Sequence, residues 1–286
     1  MKIFEAVKAG KDMLKGFETA YLDTEIILCH ILDKNKIYLH INKDEELKGE
    51  YEDEFFSCIQ RRQKGEPVSY IIGNKEFMGL NFYVKKGVLI PRPDTEVLVE
   101  TVLDEIKDIK NPVIADVCCG SGAIGISIAN YRKDAFVYLL DIMDSPLEVS
   151  RINAQKNSVE ERTSIMKSDL LNSLRGKKLD AIVSNPPYIK KEEIPTLMRD
   201  VRDFEPFEAL CGGEDGLDFY RKITIEAKDM LKKDGLLAYE IGYEQSLDVR
   251  KILYLNGFYD IRCIKDLSGI ERVVIGRGKN MCCLKK

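Results

Sequence analysis

Val113-Ile114-Ala115-Asp116-Val117-Cys118-Cys119-Gly120-Ser121-Gly122-Ala123-Ile124-Gly125 is the stretch that decides the fold. A short apolar run broken by one acid, then a glycine-rich turn, then apolar residues continuing to Asn130 reads as strand, turn and helix. Upstream, a helix with Asp94 or Thr95 near its cap leads into this strand. Downstream, strands are predicted at 136–140, 163–166, 179–183, 236–241, 259–264 and 272–275. A helix is predicted to begin with Ser145 as N-cap, Pro146 at its first position and Glu148 closing a capping box. Seven strands alternating with helices imply an α/β fold with a mostly parallel sheet covered on both faces.

Residues 1–70 carry apolar positions at helical spacing and hardly any strand signal, so they form a small helical domain. The charged run from Lys43 to Glu54 reads as a loop and a solvated helix face. Composition changes at Gly65-Glu66-Pro67. The stretch Glu76 to Val84 alternates about Gly79 like a hairpin. The expected organisation is therefore a helical domain (1–70), a hairpin linker (71–93) and an α/β domain (94–286).

The chain has 286 residues and a net charge of −4, without the global basic excess that drives non-specific nucleic-acid binding. Its first 85 residues hold 13 Lys/Arg against 15 Asp/Glu. No apolar stretch is long enough to span a bilayer, and the beginning of the chain lacks the apolar block of a signal peptide, so a cytoplasmic protein is expected. None of the eight cysteines is in a Cys-x-x-Cys spacing and there are only two histidines, His30 and His40. The expectation is reduced, mostly buried thiols, structural histidines and no metal site. The basic tail 279–286 reads as a solvated end.

Two segments carry chemistry. The first is the turn itself, where Cys119 to Gly125 contains a Gly-x-Gly-x-x-Gly that lets backbone approach a ligand at a helix N-terminus. Asp141, at the end of the next strand, sits where an acid would hold ribose hydroxyls. Dinucleotides and S-adenosylmethionine both present an adenosine ribose there. The second segment, Asn185-Pro186-Pro187-Tyr188, follows the apolar run 179–184. Its prolines remove two backbone donors and bias the preceding residues to extended backbone, while Asn185 adds a carbonyl and Tyr188 a flat ring. Such an acceptor-rich pocket suits a planar NH2 group. A turn that merely ends a strand is the competing reading. The pocket, for which a dehydrogenase has no use, and Asp116 within the strand, at the acidic position of the methyltransferase loop, favour S-adenosylmethionine.

The chain is similar, nearly end to end, to the protein-glutamine methyltransferases that modify the Gly-Gly-Gln motif of class-1 peptide chain release factors. The resemblance rests on Tyr70-Ile71-Ile72-Gly73, Glu76-Phe77 with Gly79-Leu80 and Phe82, and Pro91-Arg92-Pro93-Asp94-Thr95-Glu96. It continues through 116–124, Asp141, Ser168-Asp169-Leu170, Asn185 to Tyr188, Phe204-Glu205-Pro206 with Ala209-Leu210, and Gly212-Gly213 with Asp215-Gly216-Leu217. It implies a Rossmann-like class I methyltransferase domain behind a helical substrate-recognition domain. It also implies S-adenosyl-L-methionine as cofactor, held by Asp116, Cys118, Cys119, Gly120, Ser121, Gly122, Asp141, Asp169, Leu170 and Asn185. Asn185, Pro186, Pro187 and Tyr188 would bind the substrate amide, with Asn185, Pro186 and Tyr188 acting in catalysis. The implied partner is a class-1 release factor, with no stable nucleic-acid or membrane partner.

Two positions depart from the family pattern. Cys118 stands where the family usually has glycine, and if that position needs a positive φ its Cβ costs roughly 1–2 kcal/mol. Leu170 replaces an aromatic residue found in some relatives. Three rival readings are a glutamine methyltransferase of a large-subunit ribosomal protein, a nucleic-acid amino methyltransferase and a non-catalytic S-adenosylmethionine-binding protein. A nucleic-acid enzyme calls for a basic surface or a target-recognition domain, and retention of the whole tetrapeptide argues against a scaffold.

Overall fold

The structure is a computed structural model that describes residues 1–278. These divide into two compact units, residues 1–74 with 198–204, and residues 75–197 with 205–278. The tail expected to be a solvated end, with Cys282 and Cys283, lies outside the described residues.

The first unit holds α1 (Ile3–Met13), α2 (Ala20–Leu32), α3 (Lys36–Ile41), α4 (Gly49–Gln63) and α5 (Val68–Ile72). Ile3, Ala6, Leu14, Ile27, Leu28, Phe55 and Ile59 form its core. A Cβ at Gly10 would lie 2.7 Å from Thr24 and 2.9 Å from Phe55, so glycine permits α1 to approach α2 and α4. Asp23 and Arg62 form a buried ion pair at 2.7 Å, with the guanidinium 4.4 Å from the Phe17 ring centre. His30 is exposed, and His40 lies 3.3 Å from the buried carboxylate of Glu25.

The second unit begins with β1 (Asn74–Phe77) and β2 (Leu80–Tyr83), joined by Met78 and Gly79, both at positive φ. Then follow α6 (Glu96–Glu105), β3 (Val113–Val117), α7 (Ala123–Tyr131), β4 (Phe136–Asp141), α8 (Asp144–Lys156), β5 (Thr163–Lys167) and β6 (Leu179–Ser184). Next come α9 (Arg199–Phe204), which belongs to the first unit, α10 (Phe207–Leu210), α11 (Asp218–Met230), β7 (Leu231–Glu240), α12 (Ser246–Leu255), β8 (Tyr259–Lys265) and β9 (Glu271–Arg277). The sheet order is β5-β4-β3-β6-β7-β9-β8. Only β9 is antiparallel to its neighbours, as expected for a mostly parallel seven-stranded sheet. Every residue of β6 is buried, which is why it reads as an unbroken apolar run. The chain winds from β3 outward to β5, then returns to place β6 on the other side of β3. That reversal opens a crevice beyond the carboxyl ends of β3 and β6.

Several expectations are revised. The hairpin is not a free linker: Phe77 and Phe82 are in the sheet core, and Asn153 of α8 exchanges hydrogen bonds with the Tyr83 backbone. The capping box at Ser145 does not form. α8 starts at Asp144, Asp141 Oδ1 accepts from the Met143 amide ahead of it, and Glu148 pairs with Lys85 at 2.7 Å. The thiols are free, but of those described only Cys119 is fully buried, whereas Cys29, Cys58, Cys118, Cys211 and Cys263 are partly buried. β7 starts earlier than its apolar residues suggest, with exposed Lys232, Lys233 and Asp234 beside a register shift against β6.

Candidate active site

The parallel register sets Val117 of β3 beside Ser184 of β6, and Ser184 beside Tyr239 of β7. The next residue on each strand, Cys118, Asn185 and Glu240, therefore emerges at one edge of the sheet. Ser184 ties two of these ends together by donating to the Val117 carbonyl at 2.6 Å.

The turn after β3 depends on its backbone. Cys118 (φ 60°), Gly120 (56°) and Gly122 (79°) are all left-handed, the conformation that costs an L-residue most. The departure at Cys118 therefore falls on a strained position, and burial holds its thiol protonated, well above its usual range. The turn's carbonyls are held by other groups: Gly122 donates to Cys119, Ser150 to Gly120, and Asn153 to Ser121. Asp116 lies fully buried beneath the turn. Its Oδ2 accepts from the Gly125 amide at 2.9 Å, satisfying a donor of the first turn of α7, while Oδ1 has no partner. Burial, more than the nearby Asp141, pushes its pKa up to about 8. Gly125 is held by space: a Cβ there would lie 2.2 Å from Leu139 and 3.0 Å from Asp116.

A cavity of about 600 Å³ opens on the crevice. Cys118, Cys119, Gly120, Ser121, Asp141, Asp169, Leu170, Asn185 and Pro187 line it, whereas Asp116, Gly122, Pro186 and Tyr188 do not. Asp141 Oδ2 accepts from the Gly120 amide and Oδ1 from the Met143 amide, both at 3.0 Å, which leaves further lone pairs for ribose hydroxyls. Burial raises the Asp141 pKa. Ile142, Met143 and Leu170 supply apolar walls on which an adenine ring can lie. Of the charged residues lining the cavity, Asp141, Asp169, Glu208 and Asp218 outnumber Arg92 and Lys222, and Arg92 is already paired with buried Glu205 at 2.6 Å. That balance suits a cationic sulfonium ligand and disfavours a pyrophosphate. The residues present thus fit S-adenosyl-L-methionine.

The segment after β6 is built differently. Gln245 Nε2 donates to the Tyr188 carbonyl at 3.0 Å, and the Ile189 amide donates to Leu210. Three glycines admit this backbone: a Cβ would lie 2.7 Å from Tyr188 Cα at Gly212, 2.4 Å from the Tyr188 carbonyl oxygen at Gly216, and 2.9 Å from its ring at Gly242. The Tyr188 side chain packs with the sheet's second core layer rather than walling the cavity, and burial keeps its phenol protonated.

Asn185 Nδ2 donates to Thr95 Oγ1 at 3.3 Å. The carboxyl of Glu240, 3 % exposed, lies beside both side chains, and hydrogen bonding from Thr95 and Asn185 favours its ionised form. Each polar residue of the 91–96 motif has a partner. Arg92 pairs with Glu205, Asp94 with Arg272 at 2.7 Å, Thr95 with Asn185, and Glu96 accepts from the Met78 amide at 2.7 Å. No local sequence pattern marks Glu240, Gln245 or Arg272 as part of the site, whereas the family-like 91–96 stretch points to Thr95.

Residues 5–73 match the PrmC N-terminal domain, and residues 92–200 match the methyltransferase small domain. A release factor glutamine methyltransferase of Clostridium acetobutylicum is 47% identical over 279 residues, covering 96% of this chain and 98% of the relative. One of Clostridium botulinum is 46% identical over 258 residues, covering 90% and 91%. The chain belongs to the release factor glutamine methyltransferase family. A methyltransferase structure from Pyrococcus furiosus, 18% identical with a TM-score of 0.53, covers 72% of this chain and 92% of its own, and shares the fold. The family's members named here are methyltransferases, and this chain is one by descent and by the architecture of its crevice. No helix among the described residues is long and apolar enough to cross a membrane.

Proposed function

We propose that the protein transfers a methyl group from S-adenosyl-L-methionine to the side-chain amide nitrogen of the glutamine in the Gly-Gly-Gln motif of a class-1 peptide chain release factor, in the cytoplasm. The observation that carries this reading is Asn185, which lines the cavity on the strand next to the turn after β3, in a chain 47% identical to a release factor glutamine methyltransferase. Bound in the cavity, S-adenosyl-L-methionine supplies a methyl group on a cationic sulfur. Cys118, Cys119, Gly120 and Ser121 approach its methionine part, Asp141 its ribose, and Asp169 with Leu170 its adenine.

An amide nitrogen is a poor nucleophile because its lone pair is delocalised into the carbonyl. Asn185 Oδ1 and the Pro186 carbonyl each accept one N–H of the glutamine amide, which orients the nitrogen without a strong base. The nitrogen becomes cationic as it takes the methyl group and then releases one of its two protons to water. The buried, protonated Tyr188 phenol is unsuited to act as a base, and its place is to fix the backbone that carries Pro186 and Pro187. The helical first unit supplies the surface that recognises the protein substrate.

The test is incubation with labelled cofactor and release factors carrying either the wild-type motif or its Gln-to-Ala version, beside ribosomal protein and adenine-containing DNA. Label in the wild-type factor alone is expected. Label in the Gln-to-Ala factor at the wild-type level would sink the proposed target, and label in the ribosomal protein or DNA instead would transfer the assignment there.

A further inference from the structure

An asparagine side chain has an acceptor end and a donor end of the same shape, and a pocket for an NH2 group works only if the acceptor end faces the substrate. Asn185 donates through Nδ2 to Thr95 Oγ1 at 3.3 Å. A hydroxyl that accepts there has its single proton left for another partner, and Glu240, reached by both Thr95 and Asn185, is an acceptor-only group when ionised. Glu240 is 3 % exposed, and its Oε2 has no partner among the described residues. A carboxyl buried at the end of a core strand without a matched cation is costly, so its place beside Asn185 calls for a reason.

We infer that Glu240, acting through Thr95, is the positioning residue that fixes the Asn185 amide with its NH2 inward and its carbonyl outward. The chain of bonds has one polarity: Thr95 O–H donates to Glu240, Asn185 N–H donates to Thr95 and Glu240, and Asn185 Oδ1 is left for the substrate. A glutamine at 240 removes that polarity, because its own NH2 satisfies Thr95 and Asn185 equally well with the Asn185 amide reversed. A reversed Asn185 then presents donors to a substrate NH2. The charged and titratable groups around Glu240 are Asp94, which opposes its ionisation, Arg272, which favours it while paired with Asp94 and Asp266, and the protonated phenols of Tyr188 and Tyr220, the latter donating to the Glu240 backbone carbonyl at 3.0 Å. Burial pushes the Glu240 pKa up to about 7, so the acceptor-only form is lost as pH falls through that value.

This inference rests on the function proposed above, and its test separates the two. E240Q is expected to lower kcat about a hundredfold, the scale of one misdirected transition-state hydrogen bond. Cofactor affinity should stay within about threefold, since the contacts of the turn after β3 are untouched. T95V should lose at least about tenfold in kcat, and T95S should recover most of that loss because the hydroxyl returns. Independently of any substrate, the Asn185 side-chain NH2 resonances of 15N-asparagine-labelled wild type should shift with a midpoint near pH 7, and in E240Q they should not. Identical pH responses in wild type and E240Q, or an E240Q kcat within about threefold of wild type, would overturn the assignment. If wild type leaves the release factor unmodified, the proposed function fails while the resonances still decide the network. If E240Q does not fold, T95V and the wild-type titration carry the test.

Discussion

Two segments leave adjacent strands at the same edge of the sheet, and they are made by opposite means. The turn after β3 is shaped by conformation and by the absence of side chains: three left-handed residues, carbonyls tied back by α8, and Gly125 pressed against Leu139. The segment after β6 contains no glycine. It is shaped by prolines and by a buried polar chain running from Glu240 to Asn185. A ligand that must be approached closely is met by bare backbone, whereas a group that must be oriented is met by a side chain whose direction is fixed from behind.

That division makes the two segments separable by kinetics. Asn185→Ala is expected to cut kcat by about 10²–10³-fold while cofactor affinity stays within about threefold. Asp141→Ala should do the reverse, weakening cofactor binding about 10- to 100-fold, the scale of one or two hydrogen bonds to a charged group, as read by calorimetric titration. If both variants move the same parameter, the division is wrong. Gly125→Ala should destabilise the fold by about 1–3 kcal/mol in urea unfolding, because its Cβ has no room. Cys118→Gly should stabilise by up to about 1 kcal/mol, the relief of a left-handed Cβ less the entropy glycine adds to the unfolded chain. Its cofactor affinity should change little, because the strain is already present in the folded turn. Asp116→Asn should alter the pH dependence of stability more than its size. The folded pKa of Asp116 is raised, so its contribution favours folding at low pH and declines as pH rises from about 4 toward 8. The asparagine variant should flatten that slope, and an unchanged slope in thermal melts from pH 4 to 8 would place the titration elsewhere.

Much of this was legible in the residues. All seven strands of the sheet are visible in the sequence: β3 and β6 as apolar runs, because parallel strands buried on both faces leave no alternation, and β8 at the sheet's edge by alternating polar and apolar residues. The crevice is legible too, since Asp116 to Gly125 and Asn185 to Tyr188 each follow such a run. What escaped depends on distance in sequence. Ser145 looks like a cap, yet Asp141, three residues before the helix begins, takes the amide of Met143 and lets α8 start at Asp144. Phe77 and Phe82 alternate like a free hairpin, and only the assembled core shows that they are buried within it. Glu240 belongs to no local pattern. Its partners lie 55 and 145 positions away in the chain, and only the pairing of Ser184 with Tyr239 brings them together.

The two prolines at 186 and 187 have a consequence for chemical ageing. Glutamine side chains slowly deamidate to glutamate, replacing an NH2 that donates with an oxygen that carries charge and lone pairs. A segment stripped of backbone donors at two successive residues, beside an asparagine whose carbonyl faces outward, meets that oxygen lone pair against lone pair. Its enzyme should therefore discriminate against aged copies of its substrate. A Gln-to-Glu release factor should take up no label and should slow modification of the intact factor no more than its Gln-to-Ala counterpart, which docks through the same surface; stronger competition by the Glu version would show that the pocket does not read the amide.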